Sequence, residues 1–139
     1  MQRLYDTPGL TIEQDAAHRR LLAVWRGQHP GQSVREGCEI ILEQVRRTGS
    51  CQLLCDSSQD LDGWHEVVAW LGQEFQAALA EAGIAAVAWV QPRNLRALTD
   101  AHQVVTLVDD APAAGRPRLN TFTDLESAVT WLRQVAPAG

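Results

Sequence analysis

The chain has 139 residues, a length that suits one domain with a single core, and its formal net charge is −5. Its hydrophobic fraction of 45% and charged fraction of 21% are ordinary for a globular protein and argue against a disordered or fibrous chain. The acidic balance argues against nucleic acid as a partner, because the phosphate backbone calls for a basic face. All 12 basic residues other than histidine are arginine. Without a lysine, a Schiff-base enzyme and a Walker-type nucleotide site are both excluded.

Cellular location is indicated by what the sequence does not contain. Residues 1–10 lack the charged and apolar regions of a signal peptide, and the longest apolar run, Ile84–Val90, is far shorter than the roughly 20 residues that a membrane span needs. The three cysteines are irregularly spaced and odd in number, which does not fit a disulfide framework. We therefore expect a cytoplasmic protein without a membrane span.

The first predicted elements are a β-hairpin and a helix. Leu10–Gln14 and Leu21–Arg26 have the composition of two strands joined across residues 15–20. Ser33 and Glu36 have the S-x-x-E spacing of a capping box. Gly49 is placed to end the helix. The helix carries an apolar stripe at helical spacing, formed by Val34, Cys38, Ile41, Leu42 and Val45.

The next segment combines a strand, a polar stretch and an amphipathic helix. Cys51–Cys55 is predicted as a strand, and Asp56, Ser57 and Ser58 as the turn that follows it. A helix is predicted over Trp64–Ala82, ending at Gly83. Ligands of open α/β sheets bind at the carboxyl ends of strands, so these three polar residues are candidates for binding.

The last third of the chain predicts a buried strand, a short helix, a short final strand and a terminal helix. Ile84–Val90 is apolar throughout, as expected of a strand buried on both faces. Pro92 opens a short helix over Arg93–Leu98, and Leu119–Phe122 is preferred over Val104–Val108 as the final strand. Thr123 and Glu126 predict a second capping box. The stripe of the terminal helix consists of Leu125, Ala128, Val129 and Leu132.

This order predicts an α/β fold with a mixed sheet. The sheet has an opening β-hairpin and parallel central strands, and its helices lie mainly on one face. We expect residues 1–135 to form one domain and residues 136–139 to form a flexible tail.

The order of elements resembles that of STAS domains, and in particular the small bacterial SpoIIAA-like (STAS/SEC14 domain-containing) proteins. The resemblance spans nearly the whole chain and is carried by Leu4–Tyr5, Val24–Gly27, Leu53–Asp56, Gly63–Trp64, Val87–Val90 and Phe122–Leu132. It implies a STAS-like sheet and a regulatory domain that acts through protein contacts.

In the SpoIIAA-type family a regulatory serine lies in an Asp-Ser-Ser-Gly turn at a helix start. Here Asp56, Ser57 and Ser58 directly follow a strand, and the helix-start position is Asp62-Gly63-Trp64, without a hydroxyl. The resemblance makes Ser57 and Ser58 candidate phosphosites. The alternative is that they hydrogen-bond the turn backbone.

Signatures of an enzyme do not assemble in the sequence. There is no G-x-S-x-G elbow, and Ser57, His65, Asp60 and Asp62 crowd one loop instead of converging from separate strands. No histidine has metal-ligand spacing. We expect a non-enzymatic protein without a metal or cofactor.

Two functions from different classes remain open. The first is protein binding at the loops after the strands, centred on Asp62, Gly63 and Trp64. The alternative is a small apolar, lipid-like ligand in a pocket near Trp25 and Trp89, two tryptophans at strand ends; they would otherwise simply cap the core.

Self-association is a further hypothesis. Trp70 lies at the edge of the apolar face of its helix and needs cover, either from the neighbouring helix or from a second copy in a homodimer.

Overall fold

A six-stranded sheet organises the chain, and its strands lie side by side in sequence order. The computed structural model describes residues 1–28, 31–62, 68–92 and 117–135. The strands are β1 (Gln2–Asp6), β2 (Leu10–Asp15), β3 (Arg20–Gln28), β4 (Gln52–Asp62), β5 (Ala86–Val90) and β6 (Arg118–Phe122). The sheet is mixed, because β1, β2 and β3 pair antiparallel whereas β3 to β6 pair parallel.

Besides a single 3-10 turn, Ala16–His18, between β2 and β3, three helices are described, and they cover both faces of the sheet. Helix α1 is Gly31–Thr48, and α3 is Leu125–Gln134. Helix α2 consists of α-helical Val68–Trp70, a π-helical turn at Leu71–Phe75 and α-helical Gln76–Glu81. Residues of α1 and α2 share one core cluster with β2 to β5, whereas α3 packs on the opposite face of β4 and β5. The α/β mixed sheet with parallel central strands is therefore confirmed, and two of these three helices lie on the same face.

The opening of the chain differs from the prediction by one strand. The hairpin of β2 and β3 is confirmed, but β1 precedes it and pairs along the outer edge of β2. Thr7 closes the connection, since its backbone N–H donates to the Leu10 carbonyl at 2.9 Å and its hydroxyl accepts from the Leu10 N–H at 3.1 Å. The mostly exposed β1 lacks the apolar alternation that identifies a half-buried strand.

Both predicted capping boxes are wrong, for the same reason. Ser33 lies inside α1, which already includes Gly31, so it is not the residue that precedes the helix. At α3 the N-cap is Asp124 and not Thr123, and its carboxylate accepts the Ser127 N–H at 2.8 Å. In each case the S/T-x-x-E pattern is displaced by one or more residues from the residue that caps the helix. The pattern alone therefore does not determine at which residue a helix begins.

The predicted helix ends are confirmed, and the predicted buried strand Ile84–Val90 is confirmed over Ala86–Val90. Gly49 and Gly83 have φ values of +66° and +110°, a left-handed backbone that glycine adopts without a steric cost. All five residues of β5 are buried. In the α3 stripe Ala128 and Leu132 are buried, but Leu125 is 42% exposed and contributes little to the core.

A buried polar connection joins α3 to the sheet. The Gln52 side chain donates through Nε2 to the Leu132 carbonyl at 2.7 Å and accepts through Oε1 from Arg20 Nε at 3.1 Å. Leu132 belongs to the last turn of α3, whose carbonyls have no partner within the helix. Gln52 therefore satisfies a helix terminus and a buried arginine together.

Several predictions fall outside the described residues. They are the start of the second helix at Trp64, the short helix Arg93–Leu98, the segment Val104–Val108 and the tail 136–139.

Candidate functional site

The predicted polar turn after β4 is instead part of the strand. β4 continues through Asp56, Ser57 and Ser58 as far as Asp62. Ser57 points to the face that carries α1 and α2, where its hydroxyl contacts Trp89. By the alternation of side chains after Cys55, Asp56 points to the other face, and Ser58 hydrogen-bonds to it. The three residues therefore do not form one polar cluster.

A β-bulge explains why residues with turn chemistry occur inside this strand. Val24 of β3 lies opposite Asp56, but Arg26 lies opposite Gln59, so β4 has one residue more than β3 over this interval. Asp56 Oδ1 accepts from the Ser58 backbone N–H at 3.0 Å and from the Ser58 hydroxyl at 2.7 Å. Asp56 thus makes within a bulge the side-chain-to-backbone hydrogen bond that is typical of a turn. This bond gives the Ser58 N–H a partner where the pairing of β4 with β3 shifts by one residue.

The two candidate phosphosites differ in accessibility. Ser57 is fully buried, and its Oγ accepts from the indole Nε1 of Trp89 at 2.9 Å. Ser58 is half-buried and hydrogen-bonded to Asp56. Phosphorylation stays a prediction, and of the two hydroxyls Ser58 has the solvent contact that a kinase requires.

Trp25 and Trp89 line a common cavity between the sheet and the two helices. Its volume is about 30 Å³. The sheet contributes Trp25, Leu53, Cys55, Val87, Trp89 and Leu119. The helices contribute Cys38, Ile41, Leu71, Phe75 and Gln76. All these residues are uncharged, and all but Gln76 are apolar or weakly polar.

Gln76 is the polar exception in this lining. It is 5% exposed, and its Oε1 is buried and accepts no hydrogen bond from any residue that the structure describes. A buried carbonyl without a partner is uncommon in native proteins, and each such group calls for an explanation.

The π-helical turn explains why Gln76 faces the cavity. In an α-helix a residue five positions after Leu71 would lie roughly 140° away from it around the axis. In a π-helical turn the hydrogen bonds run from residue i to i+5, which brings residue i+5 over residue i. Gln76 directly follows this turn, and it lines the cavity together with Leu71 and Phe75. Periodicity at α-helical spacing gives no signal for this, and sequence reasoning missed Gln76.

Gly37 holds Trp25 in position and was also missed from the sequence. A Cβ atom at Gly37 would lie 2.8 Å from Cζ3 of Trp25, closer than a carbon contact allows. The absent side chain lets the indole pack directly on the backbone of α1. A glycine inside a helical pattern usually lowers helix stability, and here it serves a close approach.

The two thiols that line the cavity, those of Cys38 and Cys55, are unreactive. Burial raises the pKa of Cys55 to about 12, with a further contribution from Asp56. Burial, followed by the neighbouring Cys55 and Glu39, raises the pKa of Cys38 well above its usual value. Both thiols are neutral at pH 7 and therefore poor nucleophiles and poor metal ligands. Within the described ranges no three His, Cys, Asp or Glu residues are grouped to hold a metal ion.

Trp70 is covered from within the same chain. Its ring stacks on Phe75 with centroids 5.5 Å apart and planes 12° apart, and the Arg35 guanidinium of α1 lies 5.2 Å from the ring centroid. The neighbouring helix therefore provides the cover that Trp70 needs, as one of the two hypotheses expected.

The protein-binding hypothesis rests on residues that the structure largely does not describe. Gly63 and Trp64 lie outside the described residues, and Asp62 is defined only as the last residue of β4. This hypothesis stays a prediction.

Comparison with known proteins does not assign the chain to a family. No protein-family model and no curated protein matches the chain. Kinship with STAS domains therefore stays a prediction. None of the described helices is both long enough and apolar enough to cross a membrane.

Proposed function

We propose that this chain is a non-enzymatic binding domain whose ligand is a small, mostly apolar molecule held between the sheet and helices α1 and α2. The observation that carries the proposal is the cavity itself, whose described lining is mostly apolar, includes the indoles of Trp25 and Trp89 and contains one amide, Gln76, with a buried Oε1 that accepts no hydrogen bond from the described residues. Leaving such a carbonyl unsatisfied costs about 1–3 kcal/mol, and a ligand that reaches it recovers part of this free energy.

The composition of the lining supports an apolar ligand better than trapped water. A buried water normally makes about three hydrogen bonds, with a range of 2–4. The lining described offers one amide, from Gln76, and the two weakly polar thiols of Cys38 and Cys55. An apolar body would instead contact the two indoles and the aliphatic side chains, which favours burial of apolar surface.

The size of the cavity limits how the ligand enters. A volume of about 30 Å³ accommodates roughly one or two waters, so any larger molecule has to displace part of the lining. We assign this movement to α2, because Leu71, Phe75 and Gln76 line the cavity from the π-helical turn and the residue after it. π-helical turns are irregular and frequently occur at functional sites.

A binding role, and not catalysis, fits the chemistry of the cavity. Its two thiols are neutral at pH 7, and its remaining lining residues carry no group that titrates near that pH. No general acid or base is therefore supplied by the described lining.

Xenon and benzene are suitable probes, because both enter apolar protein cavities without a specific recognition motif. Each would be titrated while the indole N–H signals of the ¹⁵N-labelled protein are followed. We expect saturable shifts of the Trp25 and Trp89 signals, while that of Trp131, on the opposite face of the sheet, stays in place.

A matched pair of cysteine variants tests the location. Cys38→Val places a larger side chain in the lining, which reduces the cavity and should abolish saturable binding. Cys51→Val makes the same change at a buried cysteine outside the lining and should retain saturable binding. Absence of saturable shifts at Trp25 and Trp89 in the wild type would contradict the proposal.

A further inference from the structure

A groove on the surface of the molecule separates α1 from the connection between β1 and β2. Its volume is about 290 Å³. A protein cavity of about 150 Å³ is large enough to hold benzene, so the groove has the volume for a single-ring molecule. On the sheet side it is lined by Tyr5, Thr7, Gly9, Leu10 and Trp25.

One face of α1 forms the opposite wall of the groove. The residues of α1 that line it are Ser33, Glu36, Gly37 and Ile40. These positions follow the spacing i, i+3, i+4 and i+7, which places all of them on the same face of a helix. Glu36 is exposed and belongs to this face, so it lies at the rim of the groove.

Glu36 gives the groove its charge. The other residues of the described lining are uncharged. The Glu36 carboxylate accepts through Oε1 from Gln32 Nε2 at 3.1 Å, which holds the carboxylate without neutralising it. Glu36 forms no ion pair with any residue that the structure describes. A cation bound here therefore gains an opposite charge without displacing another cation from it.

The sheet side of the groove is suited to an aromatic ligand that carries a positive charge. Tyr5 is half-buried, and both Tyr5 and Trp25 line the groove. Aromatic rings attract ammonium groups to their faces and also pack favourably against other rings. Leu10 and Ile40 add aliphatic surface to the same lining.

We propose that this groove binds a small ammonium ion that carries a single aromatic ring, with the charged nitrogen at Glu36 and the ring against Tyr5 and Ile40. A neutral molecule of the same shape would leave the Glu36 carboxylate without an opposite charge, and an anion would be repelled by it. This site is separate from the cavity of the proposed function and does not rest on that function. The groove and the cavity share Trp25, but Trp89 lines the cavity and not the groove.

Three probes of matched size separate charge from shape. Benzylamine is positive at pH 7, benzyl alcohol is neutral and benzoate is negative. Titrations at low salt would follow the backbone N–H signals of Gly9 and Gly37, which line the groove, with that of Gly83 as a reference outside it.

We expect saturable shifts of Gly9 and Gly37 with benzylamine and no saturation with benzoate. Benzylamine should bind about fivefold more tightly than benzyl alcohol, an effect of the size that one exposed ion pair can give. Added salt should reduce this preference, because the charge of an exposed carboxylate is screened.

Two glutamates of α1 provide a matched pair of variants. Glu36→Gln removes the charge at nearly constant size and should reduce the preference for benzylamine to less than about twofold. Glu39→Gln makes the same change at an exposed site of α1 outside the lining and should keep the preference. Because both sites are exposed, both proteins should fold like the wild type, which their urea midpoints check.

Several results would overturn the proposal. One is a wild type that does not bind benzylamine saturably, or that binds benzyl alcohol or benzoate equally well. Another is a preference that persists in Glu36→Gln, or that is lost to the same extent in Glu39→Gln, since the net charge of the chain would then account for it. Benzylamine shifts at Trp89 without shifts at Gly9 and Gly37 would place the amine in the cavity and also contradict the proposal. Xenon binding at Trp89 is independent of all these results, so the proposed function is tested separately.

Discussion

At the scale of single residues, the site depends on side chains whose roles are visible only in three dimensions. Trp25 and Trp89 line one cavity because β3, β4 and β5 pair parallel and both side chains lie on the face that carries α1 and α2. Trp89 lies at the end of its strand as predicted, whereas β3 continues three residues beyond Trp25 to Gln28. Gly37 and Gln76 carry no such sequence signal. Their roles come from a close approach of Trp25 to α1 and from a π-helical turn.

Replacing Gly37 should destabilise the protein although alanine is the better helix former. Gly37→Ala gains about 1 kcal/mol of helix propensity, but its Cβ overlaps the Trp25 ring, and overpacking a buried site costs about 1–3 kcal/mol. We expect a net loss of about 1 kcal/mol in the free energy of unfolding, measured by urea denaturation. Glu43→Ala, at an exposed site on α1, should change it by less than about 0.5 kcal/mol. A Gly37→Ala protein as stable as the wild type would mean that Trp25 moves without cost.

Ser57→Ala tests whether the buried hydroxyl is structural. The substitution leaves the Trp89 Nε1–H without its Ser57 acceptor, and an unsatisfied buried donor costs about 1–3 kcal/mol. The Trp89 indole N–H signal should also shift in the NMR spectrum. Ser58→Ala, at a half-buried site, should cost less and leave that signal in place. An unchanged urea midpoint for Ser57→Ala would free this serine for another role.

At the scale of elements, strands and helices with a buried face could be predicted from their apolar spacing, whereas local polar residues misplaced the end of a strand. β5 and the apolar stripe of α1 were identified because buried faces impose continuous or 3.6-residue apolar spacing. β4 was ended seven residues too early, since Asp56, Ser57 and Ser58 favour turns by their own hydrogen bonding. Pairing with the long strand β3 overrides that preference, and the bulge accommodates it.

The N-cap of α3 should make stability depend on acid. Hydrogen bonds from the Ser127 backbone N–H and then its hydroxyl lower the pKa of Asp124 below its usual value. A carboxyl whose folded pKa is depressed stabilises the fold fully above its unfolded pKa of about 3.9, and this contribution is lost as the pH falls through the folded pKa. We therefore expect the wild type to lose an increment of stability below about pH 4 that Asp124→Asn does not lose.

Urea midpoints of both proteins at pH 6 and pH 3 measure this increment. The difference between the wild type and Asp124→Asn should be larger at pH 6 than at pH 3, since other carboxyl groups titrate alike in the two proteins. A difference that is equal at both pH values would show that the charge of Asp124 is unimportant for the cap.

At the scale of the whole molecule, strands that follow one another across the sheet account for the placement of the helices. Right-handed crossovers that all advance in one direction leave their helices on the same face, as α1 and α2 are. Among the helices that the structure describes, α3, after β6, covers the other side. The fold class was predictable for this reason, whereas the extra strand β1 was not.

Covered by Phe75 and Arg35, Trp70 should not mediate a homodimer. We expect the wild type to sediment as a monomer at high micromolar concentration, and Trp70→Glu to sediment alike while losing about 1–2 kcal/mol of stability with its ring contacts. Trp70→Phe keeps an aromatic ring and should lose less. A wild-type dimer that dissociates in Trp70→Glu would contradict this expectation.

The sequential order of the strands also bears on how the chain acquires its structure. Each strand hydrogen-bonds to the one made just before it, so the sheet can lengthen one strand at a time from the amino-terminal meander. Pairing within β1 to β3 closes short loops, whereas the parallel pairs join residues 32 positions apart, such as Arg20 with Gln52 and Ala86 with Arg118, and require the closure of long loops. One surface is protected late, because Ala86, Ala88 and Val90 are covered by α3, which is synthesised after every strand. Together with Leu54 of β4, this apolar strip stays uncovered until α3 is made, and it is where a nascent chain would be open to a chaperone or to aggregation.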